Sequence, residues 1–335
     1  MTRVLALGSA ADPTGWGKQF DLARPLLGGR FEVTRVTLPA DVRPLLSAAD
    51  AVHTLGAAAF RAVRRLALES VWPGSPPFPV WVASGAAAVE PPLGFTPGLK
   101  AAISQSEHER DWAARLLPAP MQFSVRPAVE RTLHPPGAVP TAAPGGCGVP
   151  TGRYVLAAGG FDAAANLKEA VWAFDVLKYA HPDLQLVLLG DGPLRTEVER
   201  FARTLGFDDL RVRCVGHVAD VGPYLRQAEQ VWGTHTRGGV KFLLEAMAAG
   251  VPVLATRTPD SGRVISDGVN GLLVPVGRPV ELATAAHALL AAADRRRALV
   301  VAGQGAAGGY AVADLAEALA GAYHSLTSPS PPRPE

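Results

Sequence analysis

GGVKFLLEAMAAGVPVLAT, residues 238–256, combines two glycines, a run of strong helix formers, a third glycine and a strand rich in Val and Leu. Gly238 and Gly239 leave the helix start free of bulky side chains, and Gly250 suits the left-handed conformation that ends many helices. The first-turn N–H groups of such a helix are unpaired, and its dipole places roughly half a positive charge there, which suits a diphosphate. An ordinary helix after a tight turn is the alternative that the spacing leaves open.

The same alternation of helix and strand runs through both halves of the chain. Short Val- and Leu-rich runs read as buried strands, and helical patterns such as residues 166–179 fit between them. Strands that alternate with helices predict parallel sheets. The strand candidates are residues 4–7, 31–37, 51–54, 79–83, 101–105 and 121–125 in the first half, and 154–158, 184–189, 212–215, 230–232, 251–255 and 271–274 in the second.

The domain boundary is predicted where this alternation stops. Residues 134–152 read HPPGAVPTAAPGGCGVPTG, whose prolines and glycines sustain neither a helix nor a central strand. We therefore expect an α/β chain of two doubly wound Rossmann-like domains, residues 1–133 and 153–326, with a disordered tail at 327–335. Ligands of such sheets bind beyond the carboxyl ends of the strands, so the cleft between the domains is the expected site.

Composition argues against a nucleic-acid-binding protein, a disulfide-rich protein and a metalloprotein. The 32 basic and 30 acidic residues give a formal charge of only +2, which does not favour a nucleic-acid partner. Cys147 and Cys214 offer no disulfide framework, and the spacing of His53, His217 and His235 suggests no metal site. The sequence begins without a long apolar segment, so we expect a cytoplasmic protein.

Four segments in the second half occur in the order found in one enzyme family. They are LLGDGPLR (188–195), GHVADVGPYLRQAEQVW (216–232), residues 238–256, and ISDGVNGLLVPVGRPVELA (265–283). Together they resemble the retaining glycosyltransferases of the GT-B fold, the family that includes sucrose and mannosyl transferases. The first half resembles that family more weakly, at residues 15–18 and 103–116.

This resemblance implies a fold and a reaction. The fold is GT-B, with two Rossmann-like domains facing a cleft, and the helix predicted at residues 312–326 returns to brace the first domain. The reaction is transfer of a sugar, with retention, from a nucleotide diphosphate sugar to a hydroxyl on a glycan or lipid-linked acceptor. The donor is a substrate, so no separate cofactor is implied.

The resemblance also assigns residues to the donor site. Glu245 would accept hydrogen bonds from the ribose hydroxyls, and the helix start at Gly238, Gly239, Val240 and Lys241 would face the diphosphate. Independently of the family, a carboxylate among apolar helix neighbours is expensive to bury without a partner. A solvated helix face is the alternative for Glu245.

The expected donor site is altered at four positions. The family has a glutamate eight residues before Glu245, where this chain has Arg237, and an acidic residue where it has Arg263. A family arginine and lysine after the first strand of the second domain align with Gly160 and Ala165. Catalysis in this family rests on positioning and on stabilising the departing diphosphate, so no catalytic residue is assigned.

Two outcomes of these changes stay open. In the first outcome, the cations at Arg237, Arg263 and Lys241 replace the two missing family cations and bind the diphosphate or a carboxylated sugar. In the second, these side chains point to solvent. The chain is then an active transferase or a catalytically silent binding protein, with a sugar-nucleotide epimerase as a more distant alternative.

A basic helix is predicted in AAAFRAVRRLALESVW, residues 57–72. Arg61, Arg64 and Arg65 lie near Phe60 and Trp72, a combination that allows weak peripheral contact with a membrane. The alternative is a solvated helix with one face on the core.

Overall fold

The computed structural model describes residues 1–9, 16–38, 43–46, 48–68, 80–84, 99–105, 107–115, 122–129, 149–218 and 220–327. The chain divides into two compact units. The first unit comprises Met1–Ala128 and Ala311–Glu335, and the second comprises Val129–Tyr310. Most of the predicted linker, and the predicted disordered tail beyond Thr327, lie outside the described residues.

The first unit is built on a parallel sheet with the strand order β2-β1-β3-β4-β5-β6. All six strand predictions for this half are confirmed, with ends that shift by one or two residues. The first strand reads as a continuous apolar run because both of its faces are buried. The elements are β1 Thr2–Ser9, α1 Trp16–Leu27, β2 Phe31–Leu38, α2 Arg43–Leu46, β3 Ala51–Leu55, α3 Ala57–Leu68, β4 Val80–Ser84, β5 Leu99–Ser104, α4 Glu107–Ala114 and β6 Gln122–Ser124.

The second unit has its own parallel sheet, in the order β12-β11-β10-β7-β8-β9. Its six strand predictions are also confirmed. Along the chain the strands first extend from β7 towards β9 and then resume from β10 on the other side of β7. The elements are β7 Tyr154–Ala158, α5 Leu167–Leu177, β8 Gln185–Leu189, α6 Arg195–Thr204, β9 Val212–Gly216, α7 Gly222–Leu225, β10 Gln230–Gly233, α8 Val240–Ala248, β11 Val253–Thr256, a 3₁₀ turn Ser261–Arg263, β12 Leu272–Val274, α9 Pro279–Ala291 and α10 Ala293–Ala307.

The last helix, α11 (Val312–Thr327), belongs to the first unit. Leu315, Leu319 and Tyr323 recur at helical spacing and are buried in the core that also contains residues of β1, β3 and β5. The resemblance implied this return, whereas the predicted range 153–326 assigned the helix to the second domain. The structure differs because periodicity shows that a helix has an apolar face but not which core receives it.

A buried polar contact holds α11 on the sheet of the first unit. The Tyr323 hydroxyl and His53 Nδ1 share a hydrogen bond of 2.5 Å, and both residues are fully buried. Burial lowers the pKa of His53 to about 3, so its imidazole is neutral at pH 7. At the surface, Arg30 pairs with Glu317 at 2.8 Å.

The basic helix α3 has one face in solvent and one face on the core, which was the alternative to membrane contact. Phe60 and Val63 are buried in the first unit, while Arg61 and Arg65 are exposed. Phe60 is therefore not available to a membrane surface, and Trp72 lies outside the described residues. No helix in the described part of the chain is both long enough and apolar enough to cross a membrane.

Replacing Tyr323 with Phe tests the contact that holds α11. The variant leaves the buried Nδ1 of His53 without the hydroxyl, so the free energy of unfolding should fall by about 1–3 kcal/mol. Tyr310→Phe is the matched control, because that hydroxyl makes only a 3.4 Å surface contact with the Arg263 carbonyl. Equal thermal denaturation midpoints for the two variants would contradict the assignment.

Candidate functional site

The order of strands in the second unit reverses between β7 and β10. These two strands are neighbours and parallel, with Trp232 opposite Ala157, so their carboxyl ends lie side by side. We call the segments that follow them, residues 159–166 and 234–239, the switch-point loops. Open parallel sheets bind ligands at this topological position, so the switch-point loops and the adjoining start of α8 form the candidate site.

Close packing of glycines fixes the first switch-point loop. A Cβ atom on Gly190, whose φ is +117°, would lie 1.9 Å from the Gly159 carbonyl oxygen, and one on Gly192 would lie 1.8 Å from that of Gly160. The Gly159 N–H also donates to the Leu189 carbonyl at 3.0 Å. The segment LLGDG therefore requires glycine at both positions, because the backbone of one loop rests directly on the other.

The start of α8 has the predicted open, glycine-lined form. Gly239 precedes the helix with φ +74° and no side-chain cap, and Gly250 follows its end with φ +75°. The first-turn N–H groups are thus free of intrahelical partners, as at any helix start. Val240 buries its side chain in the core, so only its backbone is positioned to meet a ligand.

A buried acid ties this helix start to the segment after β11. The Gly238 N–H donates to Asp260 Oδ2 at 2.7 Å, and Asp260 is only 3% exposed. The sequence alone does not single out Asp260. Its structural role depends on a contact 22 residues away, which no local pattern signals.

His235 belongs to the second switch-point loop, and its ring lies between Gly159 of the first loop and Gly239. A Cβ on Gly239 would come within 2.6 Å of its Cγ and Nδ1, and a Cβ on Gly159 within 3.3 Å of its Nε2. Burial lowers the pKa of His235 to about 4, although the nearby Asp162 carboxylate acts in the opposite direction. The imidazole is therefore neutral at pH 7. The sequence gives no signal for this position of His235, because Gly159 is brought to the ring by the neighbouring strands β7 and β10.

The predicted donor-site residues fall into two groups around these loops. Gly160 lies on the first loop, while Gly238, Gly239, Val240 and Lys241 form the start of α8. Glu245 lies one turn further along α8, with its side chain 13% exposed, and forms an ion pair with Lys241 at 3.2 Å. The partner that burial required for this carboxylate is thus supplied within the helix.

The altered positions differ in their surroundings. Arg237 and Arg263 are exposed, and each lies within three residues of one partner in the hydrogen bond between Gly238 and Asp260. Ala165 is buried, and its carbonyl accepts a hydrogen bond from Thr234 at 2.9 Å. Lys168, the nearest lysine after these positions, lies on α5 and forms an ion pair with Glu197.

Glu169 is a further buried acid that the sequence did not single out. Its carboxylate accepts hydrogen bonds from the Gly277 and Arg278 N–H groups, each at 3.1 Å, and from the Asn166 side chain at 2.5 Å. Burial raises the pKa of Glu169, and these hydrogen bonds oppose that rise. The contacts connect the end of the first switch-point loop to the start of α9.

Metal and thiol chemistry find no support in the described residues. Within these ranges, no group of three or more His, Cys, Asp or Glu side chains could hold a metal ion. Cys214 is a free thiol whose pKa is raised to about 12 by burial, so it is not an activated nucleophile. Cys147 lies outside the described residues.

Two neighbouring glycines provide a matched test of this geometry. Alanine at either position costs about 1–2 kcal/mol of backbone strain, because both glycines have positive φ. A Cβ on Gly238 meets nothing within 4 Å, whereas one on Gly239 collides with His235. Gly239→Ala should therefore destabilise the second unit more than Gly238→Ala in denaturant unfolding. Adding His235→Ala should remove that difference, and indistinguishable single variants would refute the position of the ring.

Comparison with known proteins points to one family for the second unit. Residues 152–292 match the family model of the glycosyl transferases group 1. A phosphatidyl-myo-inositol mannosyltransferase of Mycobacterium leprae is 34% identical over 151 residues, which are 44% of this chain and 39% of that protein. The lipopolysaccharide core biosynthesis glycosyltransferase LpsE of Rhizobium meliloti is 34% identical over 112 residues, 33% of this chain and 32% of that protein. The chain thus spans less than half the length of these curated relatives.

Solved structures match nearly the whole chain. HepE of Anabaena in complex with UDP and glucose has a TM-score of 0.71 at 17% identity, over 97% of this chain and 100% of that one. Sucrose-phosphate synthase of Thermosynechococcus elongatus has a TM-score of 0.67 at 17% identity, over 97% and 99%. The predicted fold class, two Rossmann-like parallel-sheet domains as in GT-B glycosyltransferases, is confirmed. The second unit contains a domain similar to the glycosyl transferases group 1 family over residues 152–292.

Proposed function

We propose that this chain is a glycosyltransferase that moves a sugar from a nucleotide diphosphate sugar to a hydroxyl acceptor with retention of configuration. The observation that carries the proposal is the open start of α8 beside the switch-point loops, inside the region that matches the family model. Backbone N–H groups and the helix dipole suit a diphosphate at this position. The donor is a substrate, and the proposal includes no separate cofactor.

Charge around α8 supports binding of the diphosphate. Arg237 and Arg263 are exposed, and the hydrogen bond between Gly238 and Asp260 brings their segments together. A guanidinium group binds phosphate oxygens in a bidentate geometry, and both side chains have the length to reach a ligand over the first turn. Lys241 pairs with Glu245. We assign compensation for the uncharged Gly160 and Ala165 mainly to the two arginines, because both are exposed.

Glu245 is proposed to accept hydrogen bonds from the donor ribose. Its carboxylate lies on the helix whose start would receive the diphosphate, and its ion pair with Lys241 orients it. An ionised carboxylate is a strong acceptor for two neighbouring hydroxyls. Among the relatives, the names of the mannosyltransferase and of LpsE concern phosphatidyl-myo-inositol and lipopolysaccharide, so a glycan or lipid-linked hydroxyl is the proposed acceptor.

A catalytically silent binding protein is the second candidate, and a specific feature favours it. Gly160 stands where the resembled family has a cation. A Cβ on Gly160 would lie 3.0 Å from an Asp162 carboxylate oxygen. An acid beside a diphosphate opposes the charge that builds up when the bond to the sugar breaks. This repulsion weakens catalysis more than binding, because the additional negative charge on the diphosphate develops only when the bond to the sugar breaks.

Ligand binding by arginine variants tests the proposal. Affinity for the preferred nucleoside diphosphate, chosen by thermal shift from UDP, GDP and ADP, should fall by about 1–3 kcal/mol in Arg237→Ala and in Arg263→Ala. Affinity for the matching nucleoside should change much less, since it has no phosphates. Arg297→Ala, which removes an exposed arginine paired with Asp294 on α10, is the control. Equal losses for nucleotide and nucleoside would contradict compensation by the two arginines.

Glu245→Gln separates the ribose contact from the phosphate contacts. The variant should weaken the nucleoside and the nucleoside diphosphate alike by about 1–3 kcal/mol, because both carry the ribose. Unchanged affinity in a folded variant would remove Glu245 from the site. Hydrolysis or transfer by the wild type with a panel of nucleotide sugars, beginning with UDP-glucose, distinguishes the enzyme from a silent binding protein.

A further inference from the structure

His235 and the buried His53 differ in their hydrogen bonding. His53 shares its Nδ1 with the Tyr323 hydroxyl, which explains its burial as part of a core. Of the two ring nitrogens of His235, only Nδ1 is sealed from solvent without a hydrogen-bond partner in the described part of the chain. Buried polar atoms are nearly always satisfied in folded proteins, so this exception calls for a physical reason.

The surroundings of the ring decide which nitrogen carries the proton. Nδ1 and Cγ lie against Gly239, the residue that precedes α8, and the positive end of a helix dipole disfavours a proton pointing towards it. A lone pair on Nδ1 is favoured there instead. The neutral imidazole then carries its proton on Nε2, on the side of Gly159 and the first switch-point loop.

Burial keeps the ring neutral in the unliganded protein despite a nearby acid. Asp162 is the acid whose field acts on the ring from the first switch-point loop, and burial outweighs it. On the side of α8, Lys241 is paired with Glu245. Asp260 directs its carboxylate to the Gly238 N–H. Ala165, whose side chain lies against Gly159, brings no charge.

We propose that His235 is a donor-site residue that donates a hydrogen bond from Nε2 to a phosphate oxygen of a nucleoside diphosphate held between the switch-point loops. This inference rests on the proposed function and adds a contact to it. The position suits the task because the ring touches both Gly159, beside the uncharged Gly160, and Gly239, at the start of α8. A neutral donor at this point stabilises phosphate charge where the first switch-point loop carries no cation.

The tautomer provides a test that needs no ligand. In the full chain labelled with ¹⁵N, long-range ¹H–¹⁵N spectra at pH 7 should show His235 neutral with its proton on Nε2, assigned by the signal lost in His235→Gln. The signal of the exposed His217 serves as a reference. A proton on Nδ1, or a charged ring at pH 7, overturns the inference.

Ligand addition provides the second test. Saturating nucleoside diphosphate should shift the Nε2 resonance of His235 and raise its pKa, and the matching nucleoside should do neither. His235→Phe, which keeps an aromatic ring without a donor, should weaken the nucleoside diphosphate about tenfold or more. His235→Gln, whose amide reaches towards the Nε2 position, should recover part of that loss, whereas a merely structural role predicts no such rescue.

The outcomes separate this inference from the proposed function. Binding of UDP, GDP or ADP with an unchanged Nε2 resonance and equal affinity in His235→Phe overturns the role of His235 alone. Absence of binding by all three nucleotides overturns the proposed function, and the role of His235 with it.

Discussion

Backbone-to-backbone packing between the loops after β7 and β8 is the constraint on which the candidate site depends. Gly190 and Gly192 lie so close to the carbonyl groups of Gly159 and Gly160 that no side chain fits between them. This contact fixes the path of the first switch-point loop. The ring of His235 then fills the space between that loop and Gly239, so the position of α8 is coupled to the position of the loop.

Buried carboxylates hold the remaining parts of this arrangement. Asp260 fixes the segment before α8, and Glu169 fixes the start of α9 to the end of the first loop. Each accepts backbone N–H groups, which compensates part of the cost of burying its charge. The inner part of the site therefore presents backbone donors and a neutral imidazole, while the cationic Arg237 and Arg263 lie at its exposed edge. In this arrangement the inner groups would orient a ligand, and the two arginines would attract its negative charge.

The fold was readable from the sequence because its signals are local. Each strand is a short apolar run bounded by glycine, proline or polar residues, and the glycines around α8 mark both ends of that helix. The position of α11 was harder to predict, because Leu315 and Tyr323 show that the helix has an apolar face but not which domain core buries that face. The roles of His235 and Asp260 were missed for a related reason: Gly159 and Gly238, which these two residues contact, are brought to them by the order of strands in the sheet.

A crystal structure of the full chain with the nucleoside diphosphate that binds best tests the central claim most directly. The account predicts the diphosphate over the first turn of α8, with a phosphate oxygen within hydrogen-bond distance of His235 Nε2 and the ribose beside Glu245. A nucleotide bound away from the carboxyl ends of β7 and β10 would contradict it.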